Sequence, residues 1–130
     1  MSLNYVMLGS NDVVKARDFY DSVMPAIGGR LTAEYMPHAF CYELRGGGRV
    51  WVATPHNEET AATGNGNMVG FACDTKAEVD TAHRIALDQG GTNEGDPGPR
   101  PMYGPDFYGA YVRDLDGNKM SFVFLGEDQG

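Results

Sequence analysis

The chain of 130 residues is poor in several residue types, and each shortage excludes a class of protein. No window approaches the roughly 18 consecutive apolar residues of a membrane span, so we expect no membrane segment. Ten basic residues against eighteen acidic ones give a net charge of −8, which repels phosphate backbones and argues against a nucleic-acid partner. The first residues lack the basic and long apolar regions of a secretory signal, so we expect a cytoplasmic location.

Motifs for covalent catalysis and for phosphate binding are also absent. Cys41 and Cys73 lie in strand-like runs without CxxC spacing, so we expect buried free thiols, with a single disulfide as the alternative. Neither cysteine has a context that would activate it, and the chain contains no GxSxG motif. The stretch "RGGGRV" lacks the Lys-Ser/Thr of a phosphate loop and predicts a hairpin turn between two strands.

The chain does contain an internal repeat. Residues 5–29 and 68–91 share one plan: an alternating strand, a polar cap, an amphipathic helix and a closing Gly-Gly pair. The two copies begin about half a chain length apart. We therefore predict one domain over residues 1–130, made of two similar modules at about 4–55 and 67–125.

Local signals predict the same elements in each module. The first helix has Asn11 or Asp12 as N-cap and should end near Pro25. The second begins with "TKAE", a capping box in which the Thr75 hydroxyl and the Glu78 carboxylate accept from free backbone N–H groups. Three strands follow each helix, giving two βαβββ modules: 30–34, 39–44, 49–54, 92–94, 108–113 and 119–125.

Alternation along the strands separates two faces. One face is consistently apolar and should pack under the helices: Val6, Leu8, Val50, Val52, Val69, Phe71, Ala110, Val112, Phe122 and Phe124. The other is mixed in size and polarity, as expected around a ligand cavity: Tyr5, Met7, Trp51, Ala53, Met68, Gly70, Tyr111, Arg113, Ser121 and Val123.

The paired modules, the helix "NDVVKARDFYDSVMPAIG" and the hairpin "VRDLDGNKMSFV" resemble the vicinal oxygen chelate superfamily, which includes glyoxalase I, bleomycin-resistance proteins and extradiol dioxygenases. The resemblance covers nearly the whole chain. It implies an α+β fold in which two βαβββ modules form an incomplete, mixed β-barrel with helices outside, commonly within a homodimer.

The resemblance also implies where a metal would bind. Metal-dependent members take up to four ligands from equivalent strand positions, which here are Tyr5, Trp51, Met68 and Ser121. A thioether, an indole and two neutral hydroxyls are poor ligands for a hard divalent ion. We therefore predict no metal and no cofactor, and we assign these four residues to substrate binding. Glyoxalase I and ring-cleaving dioxygenase activities are not expected, because both depend on the metal.

Two residues are candidates for proton transfer. His38 lies in the turn "EYMPHAF", which could overhang the cavity, and Glu43 would be a general base if it faces inward. The alternatives are a solvated imidazole and a solvent-facing carboxylate, both of which are common.

Residues 95–113 contain four prolines and four glycines, which predict an extended, ordered loop at the mouth of the cavity. Arg100, Met102, Tyr103 and Tyr108 are candidate substrate contacts in this stretch. Alternatively, its aromatic residues hold the loop on the barrel or join a dimer interface. Tyr111 and Arg113 are further candidates, although Arg113 could instead pair with Asp114 or Asp116.

The sequence leaves open whether the protein is an enzyme. One hypothesis is a metal-independent lyase or isomerase-like enzyme with a small-molecule cavity. The alternative is a non-catalytic protein that sequesters a small molecule or antibiotic by stacking on Trp51 and the tyrosines. A third outcome is a degenerate dimeric module that binds no small ligand.

Overall fold

The computed structural model describes residues 2–126 and contains two copies of one strand-helix-strand arrangement. The first module consists of β1 (Tyr5–Gly9), α1 (Val13–Val23), a 3-10 turn (Met24–Ile27), β2 (Arg30–Tyr35), β3 (Ala39–Glu43) and β4 (Arg49–Ala53). The second consists of β5 (Val69–Ala72), α2 (Lys76–Asp88), β6 (Thr92–Pro99), β7 (Phe107–Arg113) and β8 (Lys119–Leu125). The predicted α+β class with two βαβββ modules is confirmed.

The predicted helix caps are present. Asp12 accepts a hydrogen bond from the Lys15 backbone N–H at 3.1 Å, and this begins α1. Thr75 Oγ1 accepts from the Glu78 N–H at 3.1 Å and begins α2. The Glu78 carboxylate accepts from Asp74 N at 2.9 Å, one residue earlier than in the predicted capping box.

Each module forms one four-stranded sheet, with strand orders β1-β4-β3-β2 and β5-β8-β7-β6. The pairs β1/β4 and β5/β8 are parallel, and the other pairs are antiparallel. Strands β1 and β5 border the same cavities: one crevice of about 240 Å³ is lined by residues 3–6 and 69–72 among others, and another cavity by residues 7–9 and 66–69. No strand pairing joins the two sheets within residues 2–126.

A single core joins the modules, because both helices and the apolar sides of both sheets contribute to it. The strand residues in that core are Leu8, Phe40, Tyr42, Val50, Val52, Phe71, Ala110, Val112, Met120, Phe122 and Phe124. Since α1 and α2 cover this side of both sheets, the other side of both sheets is open. We call this side, on which the strands place Tyr5, Met7, Trp51, Gly70, Tyr111, Arg113, Ser121 and Val123, the helix-free face. Among the described residues, no helix is long and apolar enough to cross a membrane.

Strand β6 is longer than the sequence predicted. The pattern predicted a strand over 92–94 followed by a loop, whereas the strand continues to Pro99 through two irregularities near Gly95 and Gly98. Glycine is required at Gly95 because a Cβ there would lie 2.9 Å from Cδ2 of Tyr111. The proline- and glycine-rich segment therefore begins as an irregular edge strand rather than as a free loop.

Candidate functional site

The four positions that we predict to correspond to metal ligands in the resembling family lie on the helix-free face, on or next to its central strands. Tyr5 and Met68 are 54% and 48% exposed, Trp51 is half-buried, and Ser121 is buried at 3% exposure. Within residues 2–126, no group of three His, Cys, Asp or Glu side chains could hold a metal ion. The side chains at these positions do not fit a divalent metal, because they offer no carboxylate and no imidazole.

Glu43 belongs to the helix-free face but is held between two arginines. Register places Tyr5, Arg49, Glu43 and Arg30 side by side across the first sheet. Glu43 Oε1 lies 3.0 Å from a guanidinium nitrogen of Arg30, and Oε2 lies 3.3 Å from one of Arg49. Both carboxylate oxygens of Glu43 are therefore already engaged in ion pairs within the protein.

His38 lies at the other end of the same strand. Its backbone N–H donates to the Tyr35 carbonyl at 2.8 Å, and its own carbonyl accepts from the Thr54 N–H at 2.9 Å. The side chain is exposed. His38 and Glu43 are five positions apart in extended chain, a distance of about 16 Å. The structure therefore does not bring the two predicted catalytic residues together.

Trp51 is part of an aromatic surface on the first sheet. Its ring is stacked with that of Tyr35, with centroids 6.1 Å apart and an interplanar angle of 11°. Met7 and Cys41 pair with Trp51 on the neighbouring strands, so their side chains point to the same face. Cys41 and Cys73 are both buried free thiols, and burial raises the pKa of each thiol.

On the second sheet, Ser121 and Tyr111 are direct neighbours in a row flanked by glycines. The register across the sheet is Gly70, Ser121, Tyr111 and Gly95. A Cβ on Gly70 would lie 3.1 Å from Ser121 Oγ. The two glycines add no side chain of their own to this row, and the Arg100 guanidinium lies over Gly95.

Two cations lie against the ring of Tyr111. The Arg100 guanidinium carbon is 5.5 Å from the ring centroid, and Lys119 Nζ is 5.8 Å from it. Arg100 also donates to the carbonyls of Asp96 at 2.7 Å and Gly98 at 3.0 Å. Burial raises the pKa of Tyr111, nearby Tyr103 raises it further and Arg100 opposes the shift, so the hydroxyl stays protonated near neutral pH.

Lys119 was missed by sequence reasoning, although a usable signal existed. It precedes Ser121 by two residues in β8, and residues two apart in a strand face the same side. Lys119, Met68 and Arg113 line a cavity of about 400 Å³ together with loop residues 63–67. Arg113 is already engaged, since Nε lies 3.1 Å from Glu94 Oε1 and a guanidinium nitrogen donates to the Gly117 carbonyl at 2.8 Å.

Of the remaining three predicted contacts, Met102 is exposed in the turn after β6, and the two tyrosines differ in position. Tyr103 is largely exposed and packs edge-on against Phe107, with ring centroids 5.2 Å apart. Tyr108 lies on the opposite side of the sheet, where its hydroxyl donates to Asp80 Oδ1 at 2.7 Å and its ring contacts Lys76. That hydrogen bond, helped by burial, raises the pKa of Tyr108 to about 12. Tyr108 shares the strand parity of buried Ala110 and cannot join the helix-free face.

Comparisons with known proteins agree with this geometry. The model of the Glyoxalase/Bleomycin resistance protein/Dioxygenase superfamily matches residues 2–122. A glyoxalase/bleomycin resistance protein from Albidiferax ferrireducens T118 is 31% identical, with a TM-score of 0.86 over 97% of this chain and 100% of that chain. None of the curated proteins compared with the chain matches it.

More distant structures share the fold alone. A glyoxalase-related enzyme from Fulvimarina pelagi is 18% identical, with a TM-score of 0.76 over 100% of this chain and 96% of that chain. TioX from Micromonospora sp. ML1 is 22% identical, with a TM-score of 0.68 over 97% of this chain and 100% of that chain.

Proposed function

Because this chain belongs to the Glyoxalase/Bleomycin resistance protein/Dioxygenase superfamily, we propose that it binds a small organic molecule on its helix-free face without a divalent metal. One observation carries the proposal: all four positions predicted to correspond to metal ligands hold residues that are poor metal donors, while the same face presents aromatic, thioether and hydroxyl groups. Those positions are Tyr5, Trp51, Met68 and Ser121. Side chains of this kind bind a flat or apolar molecule by contact area and by hydrogen bonding.

The exposed apolar surface on this face supports binding. Tyr5, Met7 and Met68 are each about half exposed, and the stacked pair Tyr35 and Trp51 continues the surface. Covering apolar area releases about 25 cal/mol per Å², so even a small flat ligand would gain several kcal/mol from contact here. Clusters of exposed apolar groups commonly mark binding surfaces.

Metal analysis tests the first half of the proposal. Protein purified without chelator should contain no stoichiometric zinc, nickel, iron or manganese by mass spectrometry of the metals, and EDTA should leave the melting temperature unchanged. One equivalent of any of these metals would contradict the proposal.

A ligand screen tests the second half. Thermal-shift measurements over thioesters, catechols and cationic glycopeptides should find compounds that raise the melting temperature, because a ligand that binds only the folded state stabilises it. Quenching of Trp51, the single tryptophan, should accompany binding. Trp51→Leu should reduce the shift, whereas Val14→Ala, on an exposed position of α1, should not.

A metal-independent lyase or isomerase is a second candidate, favoured by the neighbouring side chains of Ser121 and Tyr111. Their hydroxyls would donate to a carbonyl or enolate oxygen of the substrate, and His38 or Glu43 would move a proton. Turnover that is lost in Glu43→Gln or His38→Ala while binding remains would favour the enzyme. Quenching of Trp51 without turnover would favour sequestration. Because Glu43 is held by two arginines, binding without catalysis is our preferred proposal.

We propose in addition that the protein is a cytoplasmic homodimer. Buried free thiols at Cys41 and Cys73 suit a reducing compartment. Exposed apolar side chains near the outer strands of the two sheets would be covered in a dimer: Tyr35, Met36, Met102 and Tyr103. Light scattering should give a mass of twice the 14.1 kDa chain. A single-chain mass at micromolar concentration would contradict the dimer.

A further inference from the structure

The helix-free face of the second module carries two cations, Arg100 and Lys119, that form no ion pair with the described residues. Most arginines are matched with carboxylates: Arg17, Arg30, Arg45, Arg49 and Arg113. Within residues 2–126, Arg100 and Lys119 have no carboxylate within ion-pair distance, although the chain carries a net charge of −8. Both are positioned on the ring of one residue, Tyr111.

Arg100 is fixed in place by the backbone. Its guanidinium donates to the carbonyls of Asp96, Gly98 and Pro99 at 2.7, 3.0 and 3.3 Å. These bonds use three of its five N–H donors and leave two for another acceptor. Gly95 in β6 leaves room for this placement, because a Cβ there would lie only 3.3 Å from a guanidinium nitrogen of Arg100.

The nearby carboxylates are engaged elsewhere. Glu94 lies 3.1 Å from Nε of Arg113, and the Asp96 carboxylate accepts from the Asn93 amide at 2.7 Å. The positive charge of Arg100 and Lys119 is therefore not matched by a bonded acid on the same face. An anion beside either cation would gain charge-assisted hydrogen bonds that the described acids do not supply.

The surroundings favour a flat anion over a compact one. Tyr111 offers an aromatic ring, and Phe107 and Tyr103 extend the apolar surface along β7. Ser121, which is 3% exposed, forms the buried end of this surface, and Gly70 places no side chain next to its Oγ. Guanidinium and carboxylate are both planar and form paired hydrogen bonds.

We infer that the ligand of this face carries a carboxylate joined to a flat apolar group. The carboxylate accepts hydrogen bonds from Arg100 and Lys119, and the flat group lies along Tyr111 toward Ser121. This inference rests on the proposed small-molecule function and adds to it the charge and shape of the ligand. It also excludes cationic compounds from this half of the face, because two unmatched cations repel them.

A titration with three matched probes tests the inference. The probes are 2-naphthoate, 2-naphthamide and 2-naphthylmethylamine, which share one ring system and differ in charge. Binding to the full chain is followed through the backbone amide signals of Gly70, Gly95 and Gly109 by NMR. We expect naphthoate to bind about fivefold or more tightly than the amide, the size of one exposed ion pair, and the amine to bind most weakly. Added salt should weaken naphthoate binding alone.

Variants connect the effect to the named cations. Lys119→Gln should weaken naphthoate binding about fivefold and leave amide binding unchanged. Lys76→Gln is the matched control, because Lys76 Nζ lies 5.7 Å from the Tyr108 ring on the other side of the same sheet. Arg100→Gln should act like Lys119→Gln, but it also removes contacts within β6. Lys119 makes no such contacts, so it provides the decisive variant.

The outcomes separate the two proposals. If the amine binds most tightly, or if Lys119→Gln weakens the amide as much as the carboxylate, the anion inference is wrong and the small-molecule function remains. If none of the three probes moves the signals of Gly70, Gly95 and Gly109, the inference and the proposed use of this half of the face both fail.

Discussion

The two modules contact each other through equivalent turns, yet the two turns use different chemistry. In each case a turn between the last two strands of one module contacts the other module's helix. The β7–β8 turn holds α1 through Asp114, which is 4% exposed and accepts from the Tyr20 hydroxyl at 2.6 Å. The β3–β4 turn holds α2 through Arg45, whose two terminal nitrogens each lie 2.7 Å from a Glu78 oxygen near the surface.

The difference lies in burial and in the number of partners. Asp114 also accepts from the backbone N–H groups of Asp116 and Asn118 and from the Asn118 amide, which in turn donates to the Gly9 carbonyl. The polar groups around Asp114 are buried or partly buried. Deleting one partner therefore leaves another polar group without a hydrogen bond and without full access to water. Arg45 and Glu78 lie near the surface, so water can replace either partner at little cost in free energy. We therefore expect the two turns to respond very differently to mutation.

Removing the Asp114 carboxylate should have the largest effect. Asp114→Ala leaves the Tyr20 hydroxyl and two turn N–H groups without an acceptor, so we expect a loss of about 3–5 kcal/mol in the free energy of unfolding. Urea denaturation followed by circular dichroism measures this loss. A loss below that of Arg45→Gln would reverse the comparison of the two turns.

Removing only the Tyr20 hydroxyl should cost less. Tyr20→Phe keeps the ring in the core and deletes one of the four hydrogen bonds to Asp114, so we expect a loss of about 1–2 kcal/mol. Tyr42→Phe is a useful comparison, because the Tyr42 hydroxyl also donates to an aspartate, Asp21, but that carboxylate is exposed. A larger loss in Tyr42→Phe than in Tyr20→Phe would contradict the role of burial.

The stability of the protein in alkali should test the role of Tyr20 in a second way. Burial, reinforced by the charge of Asp114, holds the pKa of Tyr20 well above its usual range. A raised folded pKa stabilises the fold fully below the unfolded value of about 10, and this contribution disappears as the pH rises toward the folded pKa. Stability should therefore fall above about pH 10 in the natural chain, and the fall should be shallower in Tyr20→Phe. Equal slopes would show that Tyr20 is not the responsible group.

The motif "DLDGN" illustrates how far the sequence leads. Its turn residues and the flanking strands predict the hairpin, and Gly117 indeed has a positive φ of 87°. The sequence does not indicate that Asp114 binds Tyr20, 94 residues away, because a contact between modules depends on how two helices and two sheets pack. Periodicity identifies each element and each buried face. It carries no information about partners across the core.

The candidate site shows the same limit. Alternation correctly separates Tyr111 and Ser121 from Ala110 and Phe122, and it also assigns Tyr108 to the helix side. The prediction of Tyr108 as a substrate contact rested on its place in a proline-rich stretch and disagreed with the strand alternation. The ion pairs of Glu43 could not be inferred, because Arg30 and Arg49 come from two neighbouring strands whose register the sequence does not specify.

Breaking the surface ion pair should have a small effect. Arg45→Gln removes the contacts with Glu78 and Asp74, but these side chains are partly exposed, so we expect a loss of at most about 1 kcal/mol. Arg84→Gln, which removes an exposed positive charge from α2, is the matched control. A double-mutant cycle with Glu78→Gln measures the pair itself, and its coupling should shrink in high salt. A coupling as large as the loss in Asp114→Ala would contradict the contrast between the turns.

Acid should abolish the small contribution of the Arg45–Glu78 pair to stability. This loss occurs as the pH falls, whereas the loss at Tyr20 occurs as the pH rises. The hydrogen bonds from Arg45 hold the pKa of Glu78 below its usual value, against a smaller opposing effect of burial. A lowered folded pKa stabilises the fold above the unfolded carboxyl pKa and ceases to do so as the pH falls through the folded pKa. The difference in stability between the natural chain and Arg45→Gln should therefore be present at neutral pH and vanish in acid. Denaturation of both proteins at a series of pH values measures it, and a difference that persists when Glu78 is protonated would show that Arg45 stabilises the turn by packing rather than by charge.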